Sequence, residues 1–144
     1  MILPDVNILV YAYKREEADH LRCADWLNGV VAGSETLALV DVVLTGFLRV
    51  VTNRRIYADP APLHDSLAFV DRLRSARPAR TVHATNAAWD KFAAFAENDR
   101  MLRGNLVPDA WLASVAVSVG ARLATADAGF ARFGGLEWFN PTVE

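Results

Sequence analysis

Short strand-like runs alternate along this chain with longer segments of helical periodicity, and acids stand beside the short runs. Met1 to Leu3, Thr36 to Val40, Arg80 to His83, Arg122 to Ala124 and Leu136 to Phe139 read as strands. Between them, helical spacing runs over Ile8–Tyr13, Leu21–Val30, Val42–Val51, Leu63–Leu73, Ala87–Phe95 and Ala110–Val119. The segment VVLTGFLRVV is rich in β-branched residues, yet a strand from Thr36 to Thr52 would be too long, so it reads as a buried helix whose start Asp41 can cap. Alternation of this kind predicts an α/β fold: a three-layer α/β/α sandwich with a mostly parallel central sheet.

Of the 144 residues, 53% are apolar, enough for one core and too few for two ordinary domains. The expectation is a single domain over 1–144. Fifteen Lys and Arg against 17 Asp and Glu leave a formal charge of -2, so no overall basic footprint is present, although arginines can still gather on one face. The single cysteine, Cys23, lies in a helical pattern with Trp26 and Leu27 and reads as a buried thiol. The N-terminus has no basic stretch followed by a long apolar one, because Asp5 and Asn7 interrupt it; a cytoplasmic protein without a membrane span is expected.

The acids carry the chemistry. Asp5 follows the first strand, Asp127 follows the fourth, Asp109 opens a small-residue helix, and Asp41 follows the second strand. In a parallel α/β frame such positions meet at the carboxyl edge of the sheet, where several carboxylates hold a hard cation such as Mg²⁺ or Mn²⁺. Each acid also has a plainer role. Asp5 can cap the helix that follows it, Asp109 can stabilise the first turn of its own, and Asp127 can cap the turn over Ala128–Phe133. Convergence separates the two readings: three acids at one sheet edge form a negative site that needs a counter-ion. Metal-assisted hydrolysis of phosphodiesters is the chemistry such a site serves. No GxSxG serine setting, no HExxH or compact zinc pattern around His20, His64 and His83, and no GxxxxGK[ST] or GxGxxG phosphate loop competes with it.

Taken together, LPDVNILVYA, GNLVPDAWLASVAV and LATADAGF, with GFLRVVTNRRIY between them and GLEWFNP near the end, give the chain a family resemblance. It resembles PIN-domain ribonucleases, and more closely the VapC toxins of prokaryotic toxin–antitoxin pairs. The resemblance implies Asp5, Asp109 and Asp127 as catalytic metal ligands for Mg²⁺ or Mn²⁺, with Asn7 and Thr125 supporting them. It further implies an RNA substrate, a homodimer, and a small VapB-like antitoxin that restrains the nuclease.

The chain departs from the family pattern in the second motif, where the usual Glu is replaced by Gly46, and again at Gly129, where an acid often precedes the Phe. Asp41 is an additional acid on the same segment, but five residues turn a helix about 500°, which leaves Asp41 roughly 140° from the direction of Gly46. It serves either as a replacement acid or as a cap. Arg49, Arg54 and Arg55 are the candidate substrate contacts, able to position phosphates without specifying sequence; a solvated loop for Arg54 and Arg55 and an ion pair for Arg49 are the alternatives. Large apolar groups, among them Trp26, Phe47, Phe69, Trp89, Phe92 and Trp111, either fill the core or cover a partner. Two other functional readings stand beside the nuclease: a PIN-like RNA-binding or regulatory protein with weakened turnover, and a structural α/β module whose acids only cap helices.

Overall fold

The computed structural model describes residues 1–143. Its strands are β1 (Ile2–Pro4), β2 (Leu37–Leu39), β3 (Ala79–Thr81), β4 (Arg122–Ala124) and β5 (Trp138–Phe139). The helices are α1 (Val6–Tyr13), α2 (His20–Ala32), α3 (Asp41–Val51), α4 (Leu63–Ser75), α5 (Asn86–Asn98) and α6 (Leu106–Val119), and a 3-10 turn spans Ala128–Arg132. The strands form one sheet in the order β3-β2-β1-β4-β5, and every neighbouring pair is parallel. The mostly parallel sheet expected from the sequence is thus parallel throughout.

Strand order fixes where a site can form. From β1 the chain moves outward to β2 and β3, then returns across the sheet to β4 and continues outward to β5. Right-handed crossovers place the first two connections on one face and the long return on the other. Consistent with this, α1 packs on α2 and α3, α3 on α4, and α5 on α6. Between β1 and β4 the connections leave in opposite directions, which opens a crevice at the carboxyl ends of these two strands. The pair is in register, Ile2 with Arg122, Leu3 with Leu123 and Pro4 with Ala124, so Asp5 and Thr125 emerge side by side.

The central strands are buried except for Arg122 at the start of β4, with Leu3, Leu37 and Leu123 fully enclosed. Phe47 of α3 is fully buried and meets Tyr13 and Phe69 with ring centroids 5.4 and 5.1 Å apart. Of the aromatic residues that could have covered a partner, Trp89 stays 60% exposed, while Trp26, Phe69, Phe92 and Trp111 are partly buried against the core. Cys23 is buried, and burial pushes its thiol up to about 11.

Two helix starts differ from the sequence expectation. The α6 helix begins at Leu106, ahead of Pro108, because a proline in the first turn removes an N–H that has no intrahelical acceptor there. The cap of α3 is Val40, and Asp41 is the first helical residue, with no side-chain capping bond. Gly120 ends α6 in the left-handed conformation, φ 69°, as its position predicts. None of the described helices is long and apolar enough to cross a membrane.

Candidate active site: an acidic cleft at the β1–β4 crevice

The first acid is held from three directions. Asp5 lies between β1 and α1, and its Oδ1 accepts the Val6 N–H at 2.7 Å, which makes it the N-cap of α1. Its Oδ2 accepts Thr125 Oγ1 at 2.7 Å and Asn7 Nδ2 at 3.0 Å. Thr125, at the end of β4 and fully buried, also accepts the Asp127 N–H at 3.1 Å, so one hydroxyl ties two acids together. Asn7 completes the set: its Nδ2 reaches Thr125 Oγ1 at 3.3 Å and its Oδ1 accepts the Ala126 N–H at 3.2 Å. The capping role of Asp5 and its place in the crevice are therefore compatible, because a cap uses one oxygen and leaves the other to face the network.

Asp127 likewise does both. Its Oδ1 accepts the Gly129 N–H at 2.8 Å and starts the 3-10 turn. A Cβ on residue 129 would stand only 2.9 Å from that oxygen, so glycine lets the turn close on Asp127. Asp109 enters from the first turn of α6. Asp5, Asp109 and Asp127 line one cavity of about 410 Å³, together with Asn7, Tyr11, Arg49 and Tyr57. A larger cavity, about 620 Å³, is bounded by Tyr13, Lys14 and Phe69 and contains none of these acids; size alone does not locate the chemistry.

Electrostatics sets Asp109 and Asp5 apart. The Asp109 carboxyl is pushed up to about 6, first by burial, then by the charges of Asp5 and Asp127, against a smaller opposite pull from Arg132. Asp5 is also raised, by burial and by Asp127, although the hydrogen bonds from Thr125, Val6 and Asn7 work against the rise. Among the described residues, none of the three takes part in an ion pair. A divalent cation would relieve this repulsion, and an all-oxygen donor set suits Mg²⁺ or Mn²⁺. Still, no three His, Cys, Asp or Glu groups among the described residues are gathered closely enough to ligate one ion directly. The donor chemistry fits such an ion with water completing part of its shell, the usual habit of Mg²⁺.

The remaining predicted residues divide. Arg49 is exposed on α3 and lines the cleft. Arg54 and Arg55 are exposed in the turn after α3, where the Arg55 N–H donates to Asn53 Oδ1 at 2.9 Å, and neither lines the acid cavity. Asp41 is exposed at the start of α3 and lies outside that cavity too. Gly46 borders an adjoining cavity that also reaches Asp5 and Asp109. Two cleft residues were missed in the sequence. Tyr11 stands four residues after Asn7, hence on the same face of α1, a signal present in the spacing. Tyr57 comes from the loop after α3, and its hydroxyl donates to Glu17 Oε1 at 2.6 Å; no local pattern announces it.

The PIN domain family model matches residues 2–136. VapC ribonuclease Mb2897 of Mycobacterium bovis and ribonuclease VapC43 of Mycobacterium tuberculosis are each 38% identical over 141 residues, covering 98% of this chain and 95% of the relative. Ribonuclease VapC33 of Mycobacterium tuberculosis is 32% identical over 145 residues, with full coverage of both chains. Among solved structures, VapBC2 from Rickettsia felis bound to a promoter DNA fragment aligns with TM-score 0.71 at 19% identity, over 97% of this chain and 98% of that one. The sarcin-ricin loop cleaving toxin VapC20 of Mycobacterium tuberculosis aligns with TM-score 0.68 at 17% identity, over 93% and 95%. At these identities the structural likeness speaks for the fold.

Proposed function

This chain belongs to the PIN-domain family, in its VapC branch, and on that premise we propose that it is a ribonuclease toxin that hydrolyses RNA phosphodiesters with Mg²⁺ or Mn²⁺ at Asp5, Asp109 and Asp127. One observation carries the reading. Three carboxylates from the end of β1, the start of α6 and the exit of β4 face a single cavity without a cationic partner among the described residues. A bound divalent cation would supply Lewis acidity to the attacking water and to the phosphoryl oxygens.

The protein's own groups do the positioning. Thr125, Asn7 and the Val6 N–H hold the Asp5 carboxylate in one orientation, so no reorganisation is needed when the site fills. Asp109, whose carboxyl is pushed up to about 6 by burial and by the charges of Asp5 and Asp127, would be held in its ionised form by a bound cation and would serve as one of its ligands. The exposed guanidinium of Arg49 lies where it can meet a phosphate of the RNA backbone. Arg54 and Arg55, exposed in the turn after α3, are the further candidates for contacts to backbone phosphates.

A small VapB-like antitoxin is the proposed partner, and a homodimer the proposed assembly. Solved relatives include toxin–antitoxin complexes, such as VapBC-1 from nontypeable Haemophilus influenzae. A basic side chain of the antitoxin would occupy the electrostatic place of the cation beside Asp5 or Asp109. Native mass measurement of protein copurified with its neighbouring gene product should give a toxin dimer with bound antitoxin. A strictly monomeric toxin with no small partner would contradict this.

Because Gly46 offers no side-chain oxygen, an RNA-binding or regulatory protein with weak turnover is the second reading. Incubating the purified protein with structured RNAs, with and without Mg²⁺ and beside Asp5→Asn, separates the two. Metal-dependent cleavage abolished in well-folded Asp5→Asn supports the enzyme. Wild-type cleavage by that variant would sink the assignment, and metal binding without cleavage would favour the second reading.

A further inference from the structure

The acid cavity does not end at the acids. A second cavity of about 350 Å³ runs beside it, and Asp5, Val6, Arg49, Pro108 and Asp109 line both. The two are parts of one cleft with different walls. Beyond the acids the second cavity is largely apolar, with Val6 and Pro108 at its sides and the buried Val43 and Leu112 at its floor. Thr45 is its neutral hydroxyl residue, and that hydroxyl already donates to the Asp41 carbonyl at 2.8 Å. The polar groups available to a ligand therefore lie at the acid end.

Gly46 keeps this space open. A Cβ there would stand 3.0 Å from Val6 Cγ2, and anything longer would press on Val6 or project into the cavity. The glycine is helical and has no need of left-handed backbone, so its value at this position lies in the volume it leaves.

We propose that the cavity beside Gly46 is a nucleobase pocket, seating the base of a nucleotide that adjoins the phosphate held at Asp5 and Asp109; the proposal rests on the ribonuclease reading above. A nucleobase is flat, apolar on its faces and polar at its edge, which matches apolar walls that lead into a charged mouth. Single-stranded RNA can turn a base out of the stack into such a slot, and the phosphate it carries then falls in the acid cavity, with Arg49 lining both compartments. The pocket gives the enzyme selectivity for the base next to the cleaved bond, a property that acids and backbone-contacting arginines do not provide.

Two measurements test it. The first compares cleavage of a short RNA with that of the same RNA carrying an abasic ribose on either side of the cleaved bond. For the wild type, one of the two abasic sites should lower kcat/KM about tenfold or more. Filling the pocket with Gly46→Val should shrink that loss to less than about twofold, and so should Val42→Trp, placed at the 48% exposed rim in case the glycine substitution disturbs folding. The second adds the four nucleoside 5′-monophosphates to isotope-labelled protein and follows the amides of Val43, Gly46 and Leu112 by NMR, a readout that does not require cleavage. Shifts at these amides, lost in Val42→Trp, support the pocket even if no RNA is cut, in which case the nuclease reading alone fails. Cleavage indifferent to both abasic sites, or amides that move with a copurified protein partner and with none of the monophosphates, would overturn the pocket while leaving the nuclease intact.

Discussion

The two ends of β1 and β4 treat negative charge in opposite ways. At the amino end, Glu35 accepts the Met1 ammonium at 3.1 Å and Arg122 at 3.1 and 3.2 Å, and these cations hold its carboxyl below the usual range. At the carboxyl end, Asp5 just past β1 is raised by burial and by Asp127, and Asp109 at the start of α6 by burial and by Asp5 and Asp127. Glu35 is given cations, whereas Asp5 and Asp109 are left in the company of other acids at a cost to the fold, which is what the proposed cation site calls for. The sheet register makes both arrangements, because it sets Ile2 beside Arg122 and Pro4 beside Ala124.

The sharpest way to break this contrast is to cut the tie between the acids. Thr125→Val removes the donor to Asp5 Oδ2 and the acceptor for the Asp127 N–H. RNA cleavage should fall about 10- to 100-fold, and chemical denaturation should show a loss of about 1–3 kcal/mol for the buried groups left without partners. Thr125→Ser should restore most of both. Equal activity of the Val variant would mean that Asp5 needs no orientation from β4.

Stability against pH tests the electrostatic half. Asp109 has a folded carboxyl at about 6 against an ordinary value of 3.8, so its contribution is greatest below about 4 and is lost as pH rises towards 6. In metal-free buffer the wild type should lose on the order of 1 kcal/mol across that window, after allowance for solvent screening at a half-buried group, and Asp109→Asn should flatten the slope. Glu35 has the opposite sign: its lowered carboxyl stabilises above its ordinary value of 4.5 and stops doing so as pH falls. Glu35→Gln should therefore cost at most about 1 kcal/mol at neutral pH, with cleavage unchanged.

Arg49→Gln probes the cleft from the substrate side. If the guanidinium meets a phosphate, the slope of log affinity against log salt should decrease by about 0.7 for single-stranded RNA. An unchanged slope would leave Arg49 to the walls of the cleft. Arg54→Gln with Arg55→Gln gives a useful companion, because both lie outside the acid cavity and should move the slope less per charge than Arg49.

Much of this site was legible in the sequence because strand ends and helix starts leave local marks. Asp5 and Thr125 each follow a short apolar run, and Asp109 follows Pro108 at a helix start. What a local pattern does not supply is direction. Asp41 also stands at a strand-to-helix junction, but α3 has already begun at that residue, and its side chain is exposed outside the acid cavity. The choice between cap and cleft acid was equally unreadable for Asp5 and Asp127, since each carboxylate has two oxygens and uses Oδ1 for the cap. Tyr57 reaches the cleft through tertiary packing alone, and the burial of Lys14 has the same origin, its Nζ donating to the Asp59 carbonyl at 2.8 Å across 45 residues of chain. Strands of two or three residues also leave their limits indistinct: β5 covers only Trp138–Phe139 of the expected Leu136–Phe139 run.

On the proposed function, Asp5, Asp109 and Asp127 are held without a cationic partner among the described residues so that a divalent cation can bind there. Titrating the folded protein with Mn²⁺, followed by the loss of the free-ion paramagnetic resonance signal at neutral pH, tests it without RNA or turnover. Saturable binding is expected for the wild type, strong weakening for Asp5→Asn, Asp109→Asn and Asp127→Asn, and unchanged binding for Glu35→Gln and Asp41→Asn. Failure of the wild type to bind, or binding as tight in Asp5→Asn as in the wild type, would contradict it.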